Sequence, residues 1–95
     1  MRDMIVSFGD HATERLWSER RGKYPPDILR RAMIKLMLLH RAKTLQDLRV
    51  PPGNRLEPLS GDRDGQYSIR INGQWRVCFV WKDGNAHHVE IVDYH

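Results

Sequence analysis

Glu57, Arg63, Arg70, Arg76, Asp93, Tyr94 and His95 all lie between Arg55 and the last residue, and together they supply the groups that phosphodiester chemistry requires. RNA is cleaved without a metal when three elements surround one phosphate. A base takes the 2′-hydroxyl proton, an acid protonates the leaving 5′-oxygen, and cations stabilise the charge gathering on phosphorus. Glu57, Asp93, Tyr94 and His95 offer proton transfer; Arg63, Arg70 and Arg76 offer cations. DNA lacks the 2′-hydroxyl, so this chemistry would be confined to RNA. At His95 the adjoining α-carboxylate favours the imidazolium form that a general acid needs.

Each of these residues also has an ordinary structural reading. Arg76 on a strand can pair with Glu90 or Asp93, Glu57 and the run Gly61-Asp62-Arg63-Asp64-Gly65 can form a solvated turn, and Asp93-Tyr94-His95 can be a frayed end. Metal chemistry has less support. His87 and His88 are adjacent and point to opposite faces of a strand, and no zinc-type spacing occurs. No cofactor is expected, and Cys78, in mid-strand, reads as buried filler rather than a nucleophile.

The elements that must position these groups follow from alternation. Tyr67, Ile69 and Ile71 are apolar at every second position, as are Trp75, Val77, Phe79 and Trp81. A two-residue Asn72-Gly73 turn is the default hairpin, but it would set the two apolar series on opposite faces. A three-residue loop pairs Ile71 with Trp75 and puts both series on one face. Arg70 and Arg76 then become cross-strand neighbours on the other face, beside Ser68 and Cys78. Like charges directly opposite destabilise a sheet, so an anion belongs between them. A third strand, His87 to Val92, leaves Asp83-Gly84.

The first half of the chain is helical in pattern. Met4 to Phe8 reads as a short strand, with residues 1–3 as a disordered extension. Asp10 caps a helix running to about Arg21, ended by Gly22. Pro25-Pro26-Asp27 opens a longer helix, about Pro26 to Lys43. Its face of Ile28, Leu29, Ala32, Met33, Leu36, Leu39 and His40 should cover the sheet. Ile34, Met37 and Leu38 lie opposite, among Arg30, Arg31 and Arg41; they either pack on the first helix, the favoured arrangement, or stay open for a partner. Leu45 to Asn54 reads as an exposed connection. The order predicts an α+β fold, with a helical hairpin on one face of a mostly antiparallel sheet and the other face left for function.

The 95 residues suit a single domain, and the net charge of +4, with a pI near 9.6, permits a polyanionic partner. Residues 1–54 hold eleven Lys/Arg against six Asp/Glu, while residues 55–95 hold five against six, so the basic excess sits with the helices. The single cysteine excludes an internal disulfide framework and fits a reducing cytoplasm. No apolar run approaches membrane-spanning length, and no signal-peptide core is visible.

Several stretches resemble the HigB toxins of the RelE-like superfamily, a branch also described as plasmid maintenance killer proteins. They are Met4-Ile5-x-Ser7-Phe8, Leu56-x-Pro58-Leu59-x-Gly61-Asp62-Arg63, Tyr67-Ser68-Ile69-Arg70-Ile71-Asn72 followed by Trp75-Arg76, and the closing Asp93-Tyr94-His95. The resemblance implies a ribosome-dependent endoribonuclease that cuts mRNA in the decoding site. It implies neutralisation by a HigA-type helix-turn-helix antitoxin, with operator DNA bound only through that antitoxin and no membrane partner. By position, Arg76 matches the family's phosphate-stabilising arginine, and Asp93, Tyr94 and His95 its C-terminal catalytic group. Two positions differ: some relatives carry histidine where this chain has Glu57 and lysine where it has Ser60. A carboxylate at position 57 can act as base opposite a histidine acid. The basic residues Arg30, Arg31, Lys35 and Arg41 are expected to meet ribosomal RNA backbone. The competing expectation is a non-catalytic module that docks on the ribosome or acts with its antitoxin as corepressor.

Overall fold

Asp10 starts the first helix as its sequence suggests. Its side chain accepts from the Thr13 N–H at 3.1 Å, and α1 runs His11–Glu19. The helix stops before Gly22, because Arg20 adopts the left-handed conformation (φ 63°) and its N–H returns to the Leu16 carbonyl. α2 spans Pro26–Arg41, with proline in its first turn, where a missing N–H costs no helical bond. The computed structural model describes residues 5–93. The expectation for residues 1–3 therefore lies outside the described residues.

Four strands follow: β1 Glu57–Pro58, β2 Tyr67–Arg70, β3 Trp75–Lys82 and β4 Asn85–Asp93. They form one antiparallel sheet in the order β1-β2-β3-β4. The Met4–Phe8 expectation holds in weaker form. From Ile5 the segment runs parallel to β4 through two isolated bridges, Ile5 to Ala86 and Phe8 to Val89. Pairing is interrupted there by a bulge opposite Phe79, where His88 takes φ 53° and donates its N–H to Ser7 Oγ at 2.9 Å. The approach is close enough that a Cβ on Gly9 would sit 3.1 Å from the His88 carbonyl oxygen.

The hairpin parity is as expected. Ile71 donates to the Trp75 carbonyl, and the register pairs Ile69 with Val77 and Arg70 with Arg76. Asn72 explains why the default two-residue turn loses. Its side-chain oxygen accepts from both Gln74 N–H and Trp75 N–H at 2.8 Å, closing the wider loop. The β3–β4 turn is the tight kind, with Asp83 and Gly84 both at positive φ.

Ile28, Ala32, Leu36 and Leu39 are buried along α2, and Leu36 and Leu39 join Ile69, Val77, Phe79 and Val89 in the core. Each fully buried leucine contributes about 1.5–3 kcal/mol through lost apolar exposure. The helix-to-helix contact departs from expectation. α1 meets the flank carrying Met33 and His40: Arg20 reaches the Met33 sulfur, and the Trp17 and His40 rings lie 5.0 Å apart. Ile34 is left 55% exposed, with Met37 and Leu38 half-buried.

Residues 45–54 are mostly exposed, as expected, with Pro51-Pro52-Gly53 in solvent, but they are not a plain loop. They fold into two short 3-10 turns, Leu45–Arg49 and Pro52–Asn54, the first closed by a Thr44–Asp47 capping box. Leu48 and Asn54 are buried. The sheet face away from the helices is not wholly open either. The Gly61–Arg63 turn lies across part of it, and Ser68 and Cys78 are fully buried there. No described helix is long and apolar enough to cross a membrane.

Candidate active site

Ser68 and Cys78 are covered in the middle of that outer face, and Arg70 and Arg76 occupy an open part of it among the described residues. Arg76 is held from below, where its Nη1 donates to the Oγ of buried Ser68. The same nitrogen lies 3.2 Å from Glu57 Oε1. The two partners differ in freedom, since the Arg76 side chain is 13% exposed and that of Glu57 is 50% exposed. β1 is what delivers the carboxylate. Glu57 is the register partner of Ser68, which places it on the outer face within reach of the guanidinium one strand further in.

A groove of ≈ 280 Å³ lies over this group, lined by Arg55, Glu57, Arg70, Asn72, Gly73 and Arg76. Three arginines and one carboxylate thus border a solvent-open space. That combination can hold a phosphate and accept a proton beside it. Arg55 and Asn72 were not singled out from sequence. Asn72 carried a turn signal and a place in the family stretch but no site role, and Arg55 enters because the chain turns at that residue with φ 45°.

Arg63 is placed elsewhere. Its Nη1 lies 2.6 Å from Glu90 Oε1 and 3.1 Å from the Gln66 side-chain oxygen. Glu90, one of the two carboxylates that the structural reading offered to Arg76, pairs with Arg63. Both lie by Cys78, whose thiol pKa is pushed up mainly by burial, with Arg63 opposing. Cys78 is buried filler in the structure as well.

Asp93 ends β4 opposite Trp75, on the Trp75 side of the sheet, and accepts from Gln74 Nε2 at 3.2 Å. Tyr94 and His95 lie outside the described residues. On α2, Arg30, Arg31 and Arg41 are exposed, while Lys35 is half-buried.

The fold has close counterparts among solved structures. It superposes on the YoeB-YefM complex from Staphylococcus aureus with a TM-score of 0.62 at 15% identity, covering 96% of this chain and 97% of that one. It superposes on YafQ from E. coli with a TM-score of 0.62 at 13% identity, covering 94% and 92%. In sequence it is 40% identical over 85 residues to Toxin HigB-1 of Vibrio cholerae, covering 87% of this chain and 90% of that one. It is 42% identical over 41 residues to Endoribonuclease HigB of Proteus vulgaris, covering 43% and 45%. The profile described as RelE-like toxin of type II toxin-antitoxin system HigB matches residues 6–95. With nearly the whole chain matched, this protein belongs to the HigB-like family of RelE-like toxins.

Proposed function

We propose that this chain is a ribosome-dependent endoribonuclease that cuts mRNA in the decoding site and so inhibits translation. The observation that carries the reading is the open groove in which Arg70 and Arg76 face one another with Glu57 against Arg76. The Proteus vulgaris relative's name, Endoribonuclease HigB, supports the same activity.

The reaction follows from the groups present. Ser68 fixes Arg76 from the buried side, so its guanidinium stays in place while the more exposed Glu57 swings off. An entering phosphate replaces the carboxylate on Arg76, and Arg70 closes on it from the neighbouring strand. Glu57 then takes the 2′-hydroxyl proton, and the 2′-oxygen attacks phosphorus. The phosphorus–5′-oxygen bond breaks, leaving a 2′,3′-cyclic phosphate. The departing oxygen takes its proton from the C-terminal group, for which His95 is the candidate, with Asp93 and Tyr94 beside it in the chain. No resident metal is required, because cations and proton carriers come from the chain itself.

As a HigB-like toxin acting in the cytoplasm, the protein would be neutralised by a helix-turn-helix antitoxin, through which alone it reaches operator DNA. A second reading, a non-catalytic inhibitor or corepressor, draws on the Glu57–Arg76 ion pair, which occupies the guanidinium the substrate needs. Translating ribosomes incubated with the purified protein, followed by mapping of mRNA 5′ ends, separate the two. New ends within codons, absent for Arg76→Ala, support the nuclease; stalled translation on intact mRNA rejects it.

A further inference from the structure

Arg70 borders two grooves. One is the Glu57–Arg76 site. The other, ≈ 370 Å³, is lined by Arg31, Ile34, Lys35, Gly53, Arg70 and Ile71. Its charged lining is entirely cationic. Among the described residues, neither Arg31 nor Arg70 has a carboxylate within ion-pair distance.

Lys35 is fixed in this groove. Its Nζ donates to Asn54 Oδ1, and the Asn54 amide nitrogen donates to the Leu48 and Val50 carbonyls at 3.1 and 3.3 Å. Asn54 is fully buried, so the lysine is held by an acceptor that cannot follow it into solvent. Burial, with Arg31 adding to it, lowers the Lys35 pKa from its ordinary value. Three cations gathered without a carboxylate repel one another, and a bound anion relieves that cost. Exposed Ile34 adds apolar surface beside the charges, above buried Ile71. A cationic groove of this kind suits the phosphate backbone of a single-stranded nucleic acid.

We propose that this second groove holds the backbone of the substrate RNA on the far side of Arg70 from the scissile phosphate. Arg31 and Lys35 are then positioning residues for the substrate strand and do not dock the protein on ribosomal RNA. This divides the basic residues of α2, because Arg30 and Arg41 lie outside the groove and stay available to the ribosome. The inference rests on the reading of the chain as an RNA-cleaving toxin, but it can be measured apart from cleavage.

The test uses the full chain without ribosomes. Anisotropy titrations follow binding of 2′-O-methyl RNA, which cannot be cut by its own 2′-oxygen, as a dinucleotide and as an oligomer of about ten nucleotides. Lys82→Gln, at the far end of β3, removes the same charge outside both grooves. Arg31→Gln should weaken the oligomer roughly fivefold. It should also lower the slope of log K against log salt by about 0.7. The dinucleotide should be unaffected, and Lys82→Gln should match wild type on both probes. Lys35→Met should behave like Arg31→Gln. If Lys35→Met fails to fold for want of a partner on Asn54, the exposed Arg31 still decides. Oligomer binding by Arg31→Gln no weaker than that of Lys82→Gln overturns the inference. So does a loss confined to ribosome or antitoxin affinity. A wild-type protein that cuts mRNA while Arg31→Gln binds the oligomer normally would sink this inference alone. One that leaves mRNA intact yet shows the Arg31 effect would sink only the nuclease reading.

Discussion

Two arginine–carboxylate pairs share the outer face of the sheet, and they are built for different ends. Arg63 and Glu90 meet at 2.6 Å with side chains 31% and 23% exposed, and Gln66 takes a further bond from the same nitrogen. Buried Cys78 lies beside them. Arg76 and Glu57 meet at 3.2 Å, with the arginine covered, the carboxylate half in solvent and a groove above. The first pair closes a turn over the sheet. The second leaves room for a third party, and only its carboxylate is free to leave. Charge alone does not separate a structural pair from a reactive one; the mobility of one partner and the space beside it do.

The comparison breaks most sharply at proton transfer. Glu57→Gln keeps a hydrogen-bond acceptor for Arg76 but cannot take a proton, so cleavage on ribosomes should fall by about a hundredfold to ten-thousandfold with the melting temperature unmoved. A chain ending at Tyr94 should lose activity on the same scale while still binding ribosomes. Cleavage at the wild-type rate by either protein would remove that residue from the reaction.

Arg76→Ala comes next. Loss of one charge-stabilising donor should lower the cleavage rate roughly a hundredfold to a thousandfold. It should also cost about 1–3 kcal/mol of stability, because buried Ser68 loses its partner. Single-turnover cleavage and chemical denaturation read the two effects separately. Retained cleavage with the stability loss alone would make this pair as structural as the other.

At the closed pair the order of effects reverses. Glu90→Gln should cost about 1–2 kcal/mol, between the values for exposed and buried ion pairs, and change cleavage less than threefold. A large loss of activity in a normally stable variant would show that Arg63 also reaches the RNA. The smallest effect concerns Cys78. With its thiol buried and its pKa raised, alkylation should be many times slower in the native state than in denaturant. Native labelling as fast as in urea would mean that the Arg63–Glu90 cover opens freely.

What could be read in advance differed between these regions for a physical reason. Alternation in Tyr67–Ile71 and Trp75–Trp81 is a local pattern, and it fixed the register that sets Arg70 against Arg76. The Leu45–Asn54 stretch has no such period, so the burial of Leu48 and Asn54 was not visible. The helix contact is not legible in the same way, because a helical wheel gives faces but not the neighbour each face meets. Met33 and His40 found α1, while Ile34 stayed exposed.

The sequence by itself determined the helix starts at Asp10 and Pro26, the sheet-facing residues of the hairpin, and the motifs that mark a HigB-like toxin. These depend on interactions between residues a few positions apart, whose geometry is set by backbone periodicity and turn chemistry. Tertiary structure decided which carboxylate each arginine received. β1 is only two residues long and carries no pattern of its own, yet its pairing with β2 brings Glu57 to Arg76. Arg63 reached Glu90 across 27 positions through the turn over Cys78. Such pairings are settled by packing among distant segments, where burial and space override the choice that charge alone would leave open.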